Sequence, residues 1–177
     1  ASSPALGWHQ DWWCWDHPIS ARTAPAQIAL LCYLDLTSTH NGALRLLPGS
    51  HRSRLPLHTL LPDLSETPLS EDHAAMCDQP GQRSFIAASG DAIAIDYRLL
   101  HGTHANRTAA PRDALLLSFV PDWAGLPKEI RGHLISHHAL PSRHEGEDSR
   151  ACGYAGLLPT YSGPRKDLPL RRRPPQS

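Results

Sequence analysis

The apolar positions of this chain come in short runs. QIALLCYL (27–34), ALRLLP (43–48), DAIAIDY (91–97) and ALLLSFV (114–120) are each of strand length, with Pro, Gly, Asn or Asp close by. In DAIAIDY the alternation is strict: Ile93 and Ile95 face one side, Ala92, Ala94 and Asp96 the other, the pattern of a half-buried strand. Residues 54–84 have no clean period and read as an insertion, with one short helix near Glu71 to Met76. LPKEIRGHLISHHA (126–139) has room for a helix or two, interrupted at Gly132. With 17 prolines and 12 glycines as punctuation, the chain favours strands over long helices. Short strands between turn signals, without an internal repeat, predict an all-β sandwich or barrel.

At 177 residues the chain is most simply one domain with a sizeable core. Lys+Arg and Asp+Glu both number 17, so charge gives no reason to expect nucleic acid or an anionic membrane as partner. No apolar run approaches the roughly 20 residues that span a bilayer, and no stretch reads as a signal peptide. Cys14, Cys32, Cys77 and Cys152 are scattered without a C-x-x-C pair, which favours reduced thiols and a cytoplasmic location, although an even count leaves disulfides open. The chain enters a motif-bearing segment almost at once after Ala1 and reads as part of a longer protein. The expected organisation is a domain over 1–162, with the 54–84 insertion, followed by a disordered Pro/Arg-rich tail over 163–177.

The candidate chemistry starts at WHQDWWCW (8–15), which holds four of the five tryptophans. His9 and Asp11 are two apart, so in a strand both reach one point on the same face. In a chain with twelve histidines an H-x-D pair also arises by chance, and the bland reading is an aromatic core strand with polar residues facing water. GDAIAIDYRLLHGTHANRT supplies a third donor, His101. Two histidines and one carboxylate with open positions opposite make the facial triad of non-haem Fe(II) oxygenases. Arg112 opens the strand RDALLLSFV on the face of Ala114, Leu116 and Ser118, where a buried guanidinium needs a carboxylate. A dicarboxylic cosubstrate would supply one. Strand parity puts Trp13 and Trp15 on the His9 and Asp11 face, where one or the other borders the mouth of the site, and Trp8 and Trp12 on the opposite face, packed against the outer layer.

His9-Gln10-Asp11, NGALRLLPGSHR (41–52), His101 with Thr103 and Asn106 in HGTHANRT, and Arg112 follow one another in an order that resembles the phytanoyl-CoA dioxygenase family. The resemblance runs from Trp8 to about Val120, and NGALRLLPGSH is its most specific stretch. It implies a double-stranded β-helix, that is, a jelly-roll or cupin-like all-β core with short peripheral helices. Family members carry helix and strands ahead of the H-x-D, so it also implies that this chain is N-terminally truncated. It makes His9, Asp11 and His101 the Fe(II) ligands. Arg112 would hold the distal carboxylate of 2-oxoglutarate, the Thr103 hydroxyl would assist, and Gln27 would be a further contact. The implied reaction is hydroxylation of a small organic molecule by O₂, with release of succinate and CO₂; the presence of Asp11 favours it over halogenation.

Locally, Asn41-Gly42 and Pro48-Gly49-Ser50 also read as turns, with His51 structural and His17 and His104 supporting or surface residues. The rival reading is a non-catalytic or truncated metal-binding jelly-roll that holds a small carboxylate; an isomerase or hydrolase on a similar barrel is a third. Arg112 with Thr103 speaks for an oxo-acid. Substrate identity and oligomeric state do not follow from the sequence, and substrate contacts are expected in 54–84 and after Val120.

Overall fold

A computed structural model describes residues 2–61, 69–70, 72–136 and 155–174. The chain divides into two compact units, Ala1–Pro121 with Leu170–Ser177, and Asp122–Pro169. Among the described residues the first unit holds six strands: β1 (Ile28–Tyr33), β2 (Leu44–Leu46), β3 (Arg83–Phe85), β4 (Ala92–Asp96), β5 (His101–Thr103) and β6 (Ala114–Phe119). They form two antiparallel three-stranded sheets, ordered β4-β1-β6 and β3-β2-β5.

All four apolar runs contain a strand, and the alternation in DAIAIDY is realised: Ile95 is buried while Ala92 and Ala94 are exposed. Antiparallel partners point to the same face. The register therefore puts Leu31 in a row with Ile93 and Leu116, and Tyr33 in a row with Ala114. In the second sheet Leu44 stands between Phe85 and Thr103. Tyr33, Leu44 and Ala87 form a buried cluster on which Leu31, Leu46, Phe85 and Ile93 pack. That cluster is where the two sheets meet. The interior expected around Leu116 is open at this end, since Leu116 keeps 65% of its surface. A second cluster gathers Trp8, Leu47, Leu57, Leu61, Ala75 and Leu100, with the Arg45 guanidinium 4.9 Å from the Trp8 ring centroid.

Three expectations need correction. Residues 72–77 form turns rather than a helix, Glu71 lying outside the described residues, and the short helix of this region is α1 (Leu57–Leu60). β3 falls at the end of the presumed insertion, where Arg-Ser-Phe shows no alternation to announce it. Gly132 does not interrupt the helix of the second unit, α2 (Lys128–Leu134), which runs through it. A Cβ at Gly132 would lie 2.5 Å from the Pro164 carbonyl oxygen, so glycine is there for close approach. Gly132→Ala gains about 1 kcal/mol of helix propensity but meets backbone. The expected result is a lower Tm in thermal unfolding, by the equivalent of ~1–3 kcal/mol.

Residues 170–174 of the basic tail lie in the first unit, where the Arg171 N–H donates to the Trp13 carbonyl (2.6 Å) and its Nε is 3.3 Å from Asp16. Cys14, Cys32 and Cys77 are free thiols, and Cys152 is outside the described residues. Among the described residues no helix is long and apolar enough to cross a membrane.

Candidate metal centre

The segment before His9 runs along β5. The Thr103 N–H donates to the Leu6 carbonyl (3.0 Å), and His9 and His101 exchange both backbone hydrogen bonds, at 2.9 and 3.0 Å. This isolated antiparallel bridge sets the two histidines side by side across a long sequence gap. Gly102 makes it possible: a Cβ there would sit 2.7 Å from the Leu6 oxygen and 3.0 Å from that of Gly7. After His9 the chain belongs to no strand. It is pinned by the Gln10 amide on the Arg98 carbonyl and by the Trp12 N–H on the Tyr97 carbonyl (2.9 Å), and Asp11 projects between them.

The strand-parity reading of the tryptophans therefore fails. Trp12 and Trp13 touch, with ring centroids 5.6 Å apart, although parity would put them on opposite faces. Trp8, Trp12 and Trp13 are all buried, and the Trp13 indole N–H donates to Gln27 Oε1 at 2.7 Å.

His9, Asp11 and His101 converge, one donor atom from each lying within 4.8 Å of the others. Asp11 Oδ1 is 3.6 Å from His9 Nε2 and Oδ2 is 3.6 Å from His101 Nε2, while the imidazole centroids are 4.2 Å apart. These separations are too long for hydrogen bonds. They suit three lone pairs aimed at a common cation.

The backbone sets the tautomers. His9 Nδ1 lies 2.9 Å from the Gly7 carbonyl and His101 Nδ1 lies 3.0 Å from the Leu99 carbonyl. A carbonyl only accepts, so each proton sits on Nδ1 and each Nε2 is left as the donor atom, the arrangement that orients metal-binding histidines. Burial, then the neighbouring His101, push the His9 imidazole down from 6.5 to about 4 against the pull of Asp11. The ring is half-buried, and its neutral form is the one a metal requires. Two imidazoles and a carboxylate on one side match the donor set of a ferrous facial triad.

Arg112 lies at the other end of β1. Its guanidinium carbon is 5.7 Å from the Tyr33 ring centroid, and its Nε is buried without a hydrogen-bond partner among the described residues. Gly42, at φ +91°, leaves it room: a Cβ there would approach Arg112 Nε to 3.5 Å. A sheltered guanidinium with an unused donor suits a carboxylate. Thr103 pairs with Leu44, two residues beyond Gly42, and its Oγ1 accepts the Leu6 N–H at 3.1 Å. Gln27 stands at the opposite end of β1 from Tyr33, roughly 20 Å away at strand rise. The structure thus brings together His9, Asp11 and His101, pairs Thr103 with Leu44 and Gln27 with Trp13, and sets Arg112 against Gly42 and Tyr33. His17 caps the 3-10 turn Pro18–Ala21 by accepting the Ile19 N–H, and His104 Nε2 lies 2.8 Å from Ser84 Oγ.

The phytanoyl-CoA dioxygenase (PhyH) family model matches residues 1–114, well over half of the chain. The chain belongs to this family. An ectoine dioxygenase from Nocardia farcinica is 27% identical over 173 residues, covering 92% of this chain and 50% of the relative. One from Halomonas elongata is 31% identical over 127 residues, 60% of this chain and 35% of the relative. A crystal structure of EctD from S. alaskensis with 2-oxoglutarate and 5-hydroxyectoine superposes with a TM-score of 0.46 at 26% identity, over 66% of this chain and 38% of that one. The chain spans half or less of the length of these relatives. Within the PhyH match fall His9, Asp11, His101 and Arg112 alike.

Proposed function

We propose that this chain carries the Fe(II) and 2-oxoglutarate site of a dioxygenase that hydroxylates a small organic molecule, releasing succinate and CO₂. The observation behind it is the convergence of His9, Asp11 and His101, with both Nδ1 protons tied to backbone carbonyls so that both Nε2 atoms face Asp11. The two sheets would be the facing walls of a double-stranded β-helix. A bound iron and oxo-acid supply the oxidative chemistry that activates O₂. The residues of the chain do the rest: three side chains on one side of the ion leave its opposite side for ligands, and Arg112 is the anchor for the distal carboxylate. Thr103, whose Oγ1 accepts the Leu6 N–H, would assist with its hydroxyl. Gln27 Oε1 accepts the Trp13 indole N–H, and Gln27 would be a further contact to the cosubstrate. Ectoine names the relatives, so small zwitterionic heterocycles are the first substrates to screen.

Anaerobic addition of Fe(II) and 2-oxoglutarate is expected to raise the visible charge-transfer band of the iron–oxo-acid chelate. His9→Ala should abolish the band. Arg112→Ala should leave it but weaken 2-oxoglutarate binding about 10- to 100-fold, the loss of one charge-assisted pair. A folded chain that binds Fe(II) without forming the band would instead be a metal-binding jelly-roll without oxygenase chemistry.

A further inference from the structure

The stretch NGALRLLPGSH (41–51) holds none of the three metal ligands, and neither does the buried ion pair of Asp96 and Arg98. Both converge on one short turn. Residues 97–100 join β4 to β5 and lead directly into His101. The Tyr97 carbonyl accepts the Trp12 N–H at 2.9 Å, the Arg98 carbonyl accepts the Gln10 amide, and the Leu99 carbonyl lies 3.0 Å from His101 Nδ1. Three successive carbonyls thus fix both sequence neighbours of Asp11 and the tautomer of His101.

The turn itself is clamped from two sides. Leu100 is held through both backbone groups: its N–H donates to Ser50 Oγ at 2.8 Å, and its carbonyl accepts the Leu47 N–H at 3.0 Å. Ser50 and Arg98 are both buried. Arg98 Nε and Nη2 grip the Asp96 carboxylate, the shortest contact being 2.6 Å. Its Nη1 donates to the carbonyls of Ser20 and Arg22 at 2.8 and 2.7 Å. Ser20 Oγ in turn accepts the Trp12 indole N–H at 2.8 Å. Arg98 therefore holds Gln10 through its own carbonyl and the Trp12 side chain by way of Ser20, one on either side of Asp11 in sequence. A buried ion pair is often no more stabilising than apolar residues of similar volume. What this one adds is a fixed geometry.

We propose that the 97–100 turn is the jig that aims the metal centre, with Arg98 and Ser50 as its positioning residues. Neither is a ligand. Each acts through the backbone that orients His101 and the flanks of Asp11. Their role rests on the metal-centre reading, but it also shows in the metal-free protein.

Three variants test it. Arg98→Lys keeps a charge opposite Asp96 but loses the planar fork that spans the carboxylate and two carbonyls. Ser50→Ala removes the acceptor of the Leu100 N–H, and Ser50→Thr restores a hydroxyl there. In metal-free protein, long-range ¹H–¹⁵N spectra in mildly alkaline buffer report which nitrogen of each imidazole carries the proton. The parent should show Nδ1–H on His9 and His101, whereas Arg98→Lys and Ser50→Ala should mix the tautomers of His101. In anaerobic titrations the same two variants should bind Fe(II) about 10- to 100-fold more weakly, with Ser50→Thr close to the parent. Gly132→Ala, whose clash lies in the second unit, controls for lost stability and should move neither readout. Should Arg98→Lys not fold, Ser50→Ala carries the test. Parental Fe(II) affinity in the folded variants overturns the proposal. A parent that binds no Fe(II) counts against the metal-centre reading instead, and unchanged tautomers in the variants would then overturn the positioning role by themselves.

Discussion

Asp11→Asn is expected to weaken Fe(II) binding by more than ~100-fold and to abolish any succinate release, with little change in Tm. Loss of a group that merely orients a metal ligand costs about 10–100-fold in affinity, and Asp11 is read here as a ligand itself. Among the described residues the carboxylate contributes no short hydrogen bond to the fold: both of its oxygens stand 3.6 Å from imidazole nitrogens, and its side chain is 29% exposed. An amide of the same size fills that space but carries no charge. Its NH2 also presents an N–H donor to one of the two Nε2 lone pairs, and a hydrogen bond there would occupy a donor atom the metal needs. Both histidines keep their carbonyl partners, so the pocket survives while its cation affinity goes. Fe(II) dissociation constants, measured anaerobically beside thermal melts of the metal-free proteins, separate affinity from folding. Iron affinity within tenfold of the parent would remove Asp11 from the ligand set.

The site was legible in the sequence to an uneven degree, for physical reasons. His9 and Asp11 stand two apart and His101 opens a strand, so a shared point of convergence could be read from pattern and motif together. The route to that convergence could not. Residues 10 to 13 belong to no strand, and one backbone bridge at His9 plus the Gln10 and Trp12 hydrogen bonds aim the side chains. Parity arguments need a continuous ladder, which is why they misplaced the tryptophans while succeeding for Ile93 and Ile95 in β4. β3 was invisible because three residues carry no period. Gly132 was misread because propensity is local, and the Pro164 carbonyl that demands a glycine is supplied by a segment far along the chain.

Gly102→Ala is expected to lower Fe(II) affinity about 10- to 100-fold while touching no ligand. A Cβ at this position would come within 2.7 Å of the Leu6 carbonyl oxygen and 3.0 Å of the Gly7 oxygen. Both are backbone atoms, so no side chain can swing aside, and the strand or the Leu6-to-His9 segment must move. That segment carries His9, and the Gly7 carbonyl is the acceptor that holds His9 Nδ1–H. A shift of the segment thus disturbs both the position of one ligand and the bond that sets its tautomer, losses of the size seen when supporting groups are removed. The same overpacking should lower stability by ~1–3 kcal/mol. Gly156→Ala is the control, since a Cβ there meets nothing within 4 Å; its change should stay within about 0.5 kcal/mol, as for other surface sites. Anaerobic Fe(II) titration and thermal melts on all three proteins decide the matter. A fall in Tm with iron affinity intact would mean that the segment yields by bending before Leu6, and that the His9–His101 bridge alone fixes the ligand.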